Sequence, residues 1–305
     1  MNYMINNDKL RLDPYWVTGF TDAEGCFYIL YTKSKGYKTG WRVQACFQIG
    51  LHIRDIELLR KIKLFFNNVG CINELNNNIV VYQIRDVKDL TNVVIPHFEK
   101  FPLFTNKEKD FLIWKDIVIL INKKEHLNEK GLMKIINLKT FLNKGLSKEL
   151  LVYYSNLVKK DKYETILVNY DINNNWLSGF FSGDGNFHIS LKKKANNYYP
   201  ELIVSLAQHN RNKLLLNSLI NFLECGKLEY YSNNNMRFVI YKFSNIYDKI
   251  IPLFKEYPIQ GIKFLDFQDF CQAAELIKKK SHLTSNGLEQ VRTIKARMNL
   301  ARYKK

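Results

Sequence analysis

The chain has 305 residues, with 46 Lys and Arg against 29 Asp and Glu, which gives a formal net charge of +17 at pH 7. A hydrophobic content of 46% excludes a wholly disordered protein, and no apolar run approaches the roughly 18 residues of a membrane span. The excess of positive charge predicts a polyanionic partner, with nucleic acid favoured over an anionic membrane.

The first predicted element is a helix that ends in a carboxylate. Asp13 is placed as its N-cap and Pro14 as its first residue, which are positions that these residue types favour. The helix is predicted to run to about Glu24. Gly19 and Ala23 are four residues apart and therefore share one face of it. Small residues at this spacing let a second helix backbone approach closely.

Alternating segments after this helix predict strands with one buried and one polar face. In WRVQACFQI (41–49) and VVYQIRD (80–86), apolar residues alternate with mostly polar ones, the pattern of a half-buried strand. The segment DIELLRKIKLFFNN (55–68) has the spacing of an amphipathic helix. The first half is therefore predicted as helix, two strands, helix, two strands and further helices.

The same order is predicted for the second half, because the chain contains a long internal repeat. The repeated blocks are WVTGFTDAEGCF (16–27) with WLSGFFSGDGNF (176–187), 93–111 with 249–267, and 123–132 with 279–288. A repeat this long and present only twice is not a solenoid. It predicts an α+β protein with pseudo-twofold symmetry: an N-terminal half over 1–150, a linker over 151–172 and a C-terminal half over 173–305.

The strands of the two halves together predict two polar, partly basic sheet faces. In the second half, NFHISLK (186–192) and RFVIYKF (237–243) alternate as the first-half strands do. Such faces suit a groove of duplex DNA, where Gln, Arg, Asn, Ser and Lys read base edges and phosphates. The residues predicted to face DNA are Cys26, Tyr28, Leu30, Thr32, Arg42, Gln44, Cys46, Gln48, Gln83, Arg85, Asn186, His188, Ser190, Lys192, Glu201, Ile203, Ser205, Lys227, Arg237, Val239 and Tyr241.

Each repeated helix ends in a carboxylate that follows a small residue, Glu24 after Ala23 and Asp184 after Gly183. Gly179 and Gly183 repeat the small-residue face of the first helix, so the two helices are expected to pack together and to bring the two acids close. Close carboxylates repel unless a cation lies between them. Hard oxygen ligands beside nucleic acid favour Mg²⁺, and such a metal activates water for phosphodiester hydrolysis.

The segments VTGFTDAEG (17–25) and LSGFFSGDG (177–185) resemble the two motifs of single-chain LAGLIDADG homing endonucleases. The resemblance extends over the whole chain and is closest to the fungal mitochondrial type encoded in group I introns. It implies two αββαββα halves around paired motif helices, each with a curved four-stranded antiparallel sheet in the major groove. It also implies a long, pseudo-palindromic DNA target that is bent and cut on both strands across the minor groove, leaving 3′ overhangs.

The resemblance assigns metal and catalytic roles by motif position. It implies that Glu24 and Asp184 are the metal-binding catalytic acids. It implies further that the main-chain carbonyls of Ala23 and Gly183 are supplementary ligands. The implied cofactor is Mg²⁺, with Ca²⁺ or Mn²⁺ as substitutes in vitro.

Three further residues receive roles from the same resemblance. Gln208 falls where the family often has a water-ordering polar residue, and the first half has Leu51 there, so the two cleavage centres are expected to be unequal. Lys107 and Lys263 fall near the family's basic residue beside the scissile phosphate. A lysine there stabilises the developing negative charge, and a plain phosphate or solvent contact stays open as the alternative for either one.

Partners and location are expected from composition and resemblance together. A double-stranded DNA target and no membrane association are expected. A monomeric state is expected because the twofold partner is already within the chain. The bias towards Asn, Lys, Ile, Tyr and Phe suggests an AT-rich, organellar genome, and the family implies the mitochondrion. The segment 1–13 has no secretory core or Arg/Ser-rich presequence, and five cysteines without a CxxC pair argue against disulfides or structural zinc.

Two other functions stay open from the sequence. A maturase would use the same fold to bind group I intron RNA and to assist splicing, with no hydrolysis. A repressor-like protein would bind DNA without cutting it. The presence of an acid in both motifs argues against the second, because a pure binder gains nothing from carboxylates that face phosphate.

Overall fold

The computed structural model describes residues 11–154, 170–194, 197–232 and 234–303. The chain divides into two compact units. The first unit is Met1–Pro14 with Glu24–Asn169, and the second unit is Tyr15–Ala23 with Tyr170–Lys305. The body of the first motif helix therefore belongs to the second unit, whereas the predicted division at residue 150 placed it in the N-terminal half. Most of the predicted linker over 151–172 lies outside the described residues.

The first part of the chain folds in the predicted order of helix, strand pair, helix, strand pair and helices. Its elements are α1 (Pro14–Glu24), β1 (Gly25–Lys33), β2 (Trp41–His52), α2 (Ile56–Phe65), β3 (Cys71–Glu74), β4 (Ile79–Ile84), α3 (Val87–Asp89), α4 (Ile95–Lys100), α5 (Lys107–Asn122), α6 (Glu129–Lys139) and α7 (Lys148–Tyr153). A single π-helical turn, Leu90–Val94, joins α3 to α4.

The second part repeats this order closely. Its elements are α8 (Asn174–Asp184), β5 (Gly185–Lys194), β6 (Asn197–His209), α9 (Lys213–Leu223), β7 (Lys227–Ser232), β8 (Asn235–Ile240), α10 (Phe243–Asn245), α11 (Ile251–Glu256), α12 (Lys263–Lys278) and α13 (Ser285–Ala296). The π-helical turn also recurs, as Ile246–Ile250. None of the helices in the described ranges is long and apolar enough to cross a bilayer.

Each unit contains one four-stranded antiparallel sheet. The strand orders are β1-β2-β4-β3 and β5-β6-β8-β7, so the two sheets have the same topology. In each sheet the first strand starts directly at the residue after a motif helix, and its glycine pairs with the second strand, Gly25 with Ile49 and Gly185 with Leu206. The predicted α+β class is confirmed.

Aromatic side chains on one face of each sheet form the core against the helices. In the first unit the Phe27 ring centroid lies 5.2 to 5.4 Å from those of Phe47, Phe98 and Trp114. In the second unit the Phe187 ring contacts Phe267 at a centroid distance of 5.1 Å. Aromatic rings at these separations stabilise the core beyond the burial of their surface, because the positive edge of one ring attracts the negative face of another. The opposite face of each sheet is left to the alternate, polar residues.

A close backbone contact in the second unit joins α1 to α8. A Cβ built on Gly19 would lie 2.0 Å from the carbonyl oxygen of Trp176, and one built on Gly179 would lie 2.0 Å from that of Trp16. No real side chain fits at that distance, so only glycine permits this helix crossing. The indole Nε1 of Trp176 also donates to the buried carboxylate of Asp22 at 2.9 Å. Two residues of the predicted small-residue face, Gly19 and Gly179, therefore lie at this helix crossing.

The substitution Gly179→Ala is expected to lower the free energy of unfolding by about 3 kcal/mol, because the added methyl overlaps rigid backbone that cannot rotate away. Gly36→Ala is the matched control, since a Cβ added there would lie 3.7 Å from its nearest neighbour, Ser34 Oγ. Urea denaturation of both variants checks this. Equal stability of the two variants would show that the helix crossing is not set by the missing side chain.

A buried histidine distinguishes the core of the first unit. His97 lies among four phenyl rings, Phe65, Phe66, Phe98 and Phe101, at centroid distances of 4.6 to 5.4 Å. Burial lowers the pKa of His97 from 6.5 to about 3, because a charged imidazole is poorly solvated there. The residue is therefore neutral in the folded protein at neutral pH.

This depressed pKa predicts a specific pH dependence of stability. Neutral His97 makes its full contribution to the free energy of unfolding above the ordinary pKa of 6.5. This contribution is lost as the pH falls towards about 3, because the unfolded chain binds the proton first. In His97→Leu, which copies Leu253 of the repeat, the unfolding free energy is expected to depend less steeply on pH in this window. Denaturation across a pH series measures it, and identical slopes for both proteins would contradict the assignment.

Candidate functional site

The acid at the end of α8 lies in a chain of amide hydrogen bonds. Gln208, near the end of β6, donates from Nε2 to Oδ2 of Asp184 at 2.5 Å. Asn212 donates from Nδ2 to Oε1 of Gln208 at 2.8 Å. Asp184 is the last residue of its helix, so the carboxylate is presented where the chain turns from α8 into β5. The structure thus brings together two of the predicted catalytic residues, Asp184 and Gln208.

A lysine approaches the same end of α8 from another element. Lys263, the first residue of α12, donates from Nζ to the main-chain carbonyl of Gly183. The segment that precedes α12 is held against α8 by two hydrogen bonds: Ser178 Oγ to the Pro258 carbonyl at 2.8 Å and Gln260 N to Ser182 Oγ at 3.0 Å. These bonds determine where α12 begins and therefore where the ammonium group lies.

The oxygen atoms at this helix end suit a divalent cation. Asp184 offers a carboxylate and Gly183 a main-chain carbonyl, both hard donors of the kind that Mg²⁺ and Ca²⁺ take. The Gly183 carbonyl accepts from the Lys263 ammonium group. No group of three or more His, Cys, Asp and Glu could hold a metal within the described ranges. A cation here would take its remaining ligands from substrate phosphate and water, as Mg²⁺ commonly does.

The first unit repeats the acid and the lysine but not the amide pair. Glu24 ends α1, and Lys107 is the first residue of α5, so both stand at the same points of the repeat as Asp184 and Lys263. Leu51 and Asp55 occupy the places of Gln208 and Asn212. The predicted meeting of the two acids joins residues of different units and stays a prediction.

A polar network fixes α12 to β5 in the second unit. The Asp266 carboxylate, 5% exposed, accepts from Arg302 Nε and from the main-chain nitrogen of Asn299, both at 3.0 Å. Asn299 has a left-handed backbone conformation, with φ of 54°, and its side chain donates to the Phe187 carbonyl at 3.0 Å. Lys263 lies one helical turn from Asp266, so this network supports its position.

Reasoning from the sequence missed Asn212 and Asn299 for different reasons. Asn143 repeats the role of Asn299, donating to the Phe27 carbonyl at 2.7 Å, so the repeat carries a signal that could have been found. Asn212 has no amide counterpart, and only its spacing of four residues from Gln208 hinted at a contact.

The open face of the first sheet carries polar contacts between neighbouring strands. Tyr28 donates from its hydroxyl to Oε1 of Gln48 at 2.9 Å. Tyr28 and Arg85 are also hydrogen-bonding neighbours of Cys46, and burial raises the pKa of that thiol. The open face of the first sheet is therefore polar, but some of its side chains hydrogen-bond to one another.

The open face of the second sheet contains a charged cluster. Glu229 accepts from Arg237 Nε and Nη2 at 3.0 and 2.8 Å, and from the Tyr241 hydroxyl at 3.1 Å. Lys227 lies 3.0 Å from the same carboxylate. Hydrogen bonds from Arg237 and Lys227 lower the pKa of Glu229 to about 2, so the acid is ionised at neutral pH. It holds the two basic side chains in place on the sheet.

Three residues of the predicted DNA-facing set are buried and leave the set. Cys46 and Val239 have no exposed surface and Ser205 is 7% exposed. Cys46 is covered by the longer side chains of Tyr28 and Arg85. Ser205 and Val239 are paired neighbours on the two central strands, where longer side chains of adjacent residues surround short ones. The other predicted residues of the set are partly or fully exposed.

The sequence matches the LAGLIDADG endonuclease family over residues 17–118 and 177–274. The chain belongs to this family. Both matched ranges begin within a motif helix and run through one sheet into the long helix, α5 or α12, that starts with a lysine. The resemblance drawn from the two motifs is therefore confirmed.

Two curated relatives come from Neurospora crassa. The chain is 40% identical over 295 residues to "Probable intron-encoded endonuclease 2", covering 93% of this chain and 64% of the relative. It is 32% identical over 289 residues to "Probable intron-encoded endonuclease 3", covering 93% of this chain and 54% of the relative. The chain thus spans between half and two thirds of the length of these curated relatives.

Solved structures of DNA complexes are also similar. I-SmaMI bound to uncleaved DNA in the presence of calcium ions is 38% identical, with a TM-score of 0.91 over 95% of this chain and 99% of that one. I-SmaMI bound to cleaved DNA has a TM-score of 0.92 over 96% and 98%. I-GzeII with its DNA target is 40% identical, with a TM-score of 0.89 over 95% and 99%.

Removing the Asp266 carboxylate is expected to destabilise the second unit. Asp266→Ala leaves Arg302, whose side chain is 19% exposed, without one of its carboxylate partners, at a cost on the order of 3 kcal/mol. Glu289→Ala is the control, because its ion pair with Arg292 is solvent-exposed and is worth less than about 1 kcal/mol. Thermal denaturation compares the two, and an equal effect would contradict the structural role of Asp266.

Proposed function

We propose that this chain is a site-specific endonuclease that cuts both strands of a long, pseudo-palindromic DNA target with a divalent metal. The observation that carries the proposal is the arrangement at the end of α8, where Asp184 accepts from Gln208 and Lys263 reaches the adjacent carbonyl. Family membership supports it, as do the complexes of similar enzymes with uncleaved and cleaved DNA.

The residues at the end of α8 divide the chemistry between them. Asp184, with the Gly183 carbonyl, would hold a divalent metal, which supplies Lewis-acid activation of water and of the phosphate. Gln208 orients the carboxylate through Oδ2. The Lys263 ammonium stabilises negative charge that develops on the scissile phosphate. We assign Glu24, the Ala23 carbonyl and Lys107 the same roles for the other strand.

The two open sheet faces supply DNA binding. They bear partly or fully exposed Arg, Lys, Gln and Asn side chains on a chain of net charge +17, which favours phosphate contacts and salt-sensitive association. Antiparallel strands fit the major groove, where these side chains reach base edges. Cutting across the minor groove between the two half-sites leaves the 3′ overhangs expected of the family.

The metal, location and assembly follow as parts of this proposal. Mg²⁺ is the expected activator, and Ca²⁺ is expected to support binding without cutting, consistent with the uncleaved complex of I-SmaMI. We place the protein in the mitochondrion, since one relative is "Uncharacterized mitochondrial protein RF1" of Saccharomyces cerevisiae. The presence of both motifs in one chain supports a monomer. The contacts around Asp184 favour cleavage over a maturase role, because binding intron RNA requires no such arrangement.

The acid substitutions Glu24→Gln and Asp184→Asn test the proposal. Each removes a charge worth several kcal/mol of metal-assisted stabilisation, so double-strand cleavage with Mg²⁺ should fall on the order of 1,000-fold. Binding with Ca²⁺, measured by fluorescence anisotropy, should persist.

Glu57→Gln is a suitable control, because Glu57 is an exposed acid on α2. It should cut like the parent protein. Full double-strand cleavage by both acid variants would contradict the proposed mechanism.

A further inference from the structure

The direction of the Gln208 amide is set by two partners at once. The two ends of a glutamine amide are nearly equal in size but opposite in hydrogen-bonding character. In the structure Oε1 accepts from Asn212 and Nε2 donates to Asp184. If the amide turned over, its oxygen would face the carboxylate and its NH₂ group would face the NH₂ group of Asn212. Both contacts would then be repulsive.

Asn212 is itself held firmly. It is 7% exposed and ends the 3₁₀ turn Asn210–Asn212 that leads into α9. That turn is capped by His209, whose Nδ1 accepts from the main-chain nitrogen of Arg211 at 3.2 Å. A buried side chain on a capped turn has little freedom, so its amide can impose a direction on Gln208.

The first unit has the same turn without the relay. His52 caps it in the same way, accepting from Arg54 N at 3.3 Å. Leu51 stands where Gln208 stands in the repeat, however, and a leucine side chain can neither donate nor accept a hydrogen bond. This strand position therefore offers no amide to Glu24, the acid of the first motif.

We infer that Asn212 is a positioning residue that points the Gln208 amide at Asp184. The cleavage centre that contains Asp184 is therefore the faster of the two. This inference rests on the proposed function and adds the order in which the two DNA strands are cut. The strand served by Asp184 is cut first, and a nicked duplex is the intermediate before the double-strand break.

Strand-resolved kinetics on a duplex that the protein binds test this inference. With each strand labelled separately, Asn212→Leu should slow the strand that the parent cuts first by roughly 10- to 100-fold, the usual effect of losing such a supporting contact. The other strand should keep its rate. Asn221→Leu, an exposed asparagine on the same helix α9, is the matched control and should leave both rates unchanged.

Asn212→Asp adds a readout that a purely structural role would not move. The introduced carboxylate can only accept, so it opposes Oε1 of Gln208 and slows the same strand. Once protonated it can donate again, and burial near Asp184 raises its pKa. As the pH is lowered, the rate of that strand relative to the other should therefore rise in the variant and not in the parent.

The reciprocal change installs the relay in the first unit. Leu51→Gln with Asp55→Asn should speed the second cut and shorten the lifetime of the nicked duplex. The double substitution in the first unit tests the inference even if Asn212→Leu proves too unstable to assay.

The possible failures are distinguishable. A parent protein that cuts neither strand of a bound duplex with Mg²⁺ overturns the proposed function and this inference with it. A parent that cuts both strands, with Asn212 variants that slow both strands equally or neither, overturns only the inference.

Discussion

The absence of two side chains is the constraint on which the candidate site depends. Gly19 and Gly179 each have the carbonyl of the opposing helix where a Cβ would stand, and this contact places the body of α1 within the second unit. The Trp176 indole, which donates to buried Asp22 at 2.9 Å, anchors the same crossing. The helix α8 ends in Gly183 and Asp184, whose oxygen atoms accept from Lys263 and Gln208 respectively.

The remaining parts of the site are built outward from that helix. Hydroxyl groups on α8 hold the segment before α12 and so deliver Lys263 to the Gly183 carbonyl. The strand β6 delivers Gln208 to the carboxylate of Asp184, and a capped turn delivers Asn212 to Gln208. Asp184, Gln208 and Lys263 are thus placed by helices and a strand, and regular elements hold a site more precisely than loops do. The duplicated chain keeps the acids and lysines in both halves but has this amide pair in only one.

The fold could be predicted from sequence because its signals are local or repeated. Alternation marked the strands, and glycine spacing marked the close helix contact. The motifs pointed to Asp184, and the family resemblance pointed to Lys263. The features that could not be predicted depend on contacts between strands and on the relative lengths of neighbouring side chains. Three features have no periodic signal in the sequence. They are the burial of Cys46 beneath Tyr28 and Arg85, the hydrogen bond from Arg237 to Glu229, and the membership of residues 15–23 in the second unit.

We propose that the two motif acids, Glu24 and Asp184, belong to a site-specific, metal-dependent nuclease. The most direct measurement is to incubate the protein with a randomised long-duplex library, with Mg²⁺ and in parallel with Ca²⁺, and to sequence the ends of both strands. We expect discrete double-strand cuts with 3′ overhangs at one set of related sequences with Mg²⁺, and the same sequences bound but uncut with Ca²⁺. Intact duplexes throughout with Mg²⁺, or cuts that share no sequence, would contradict it.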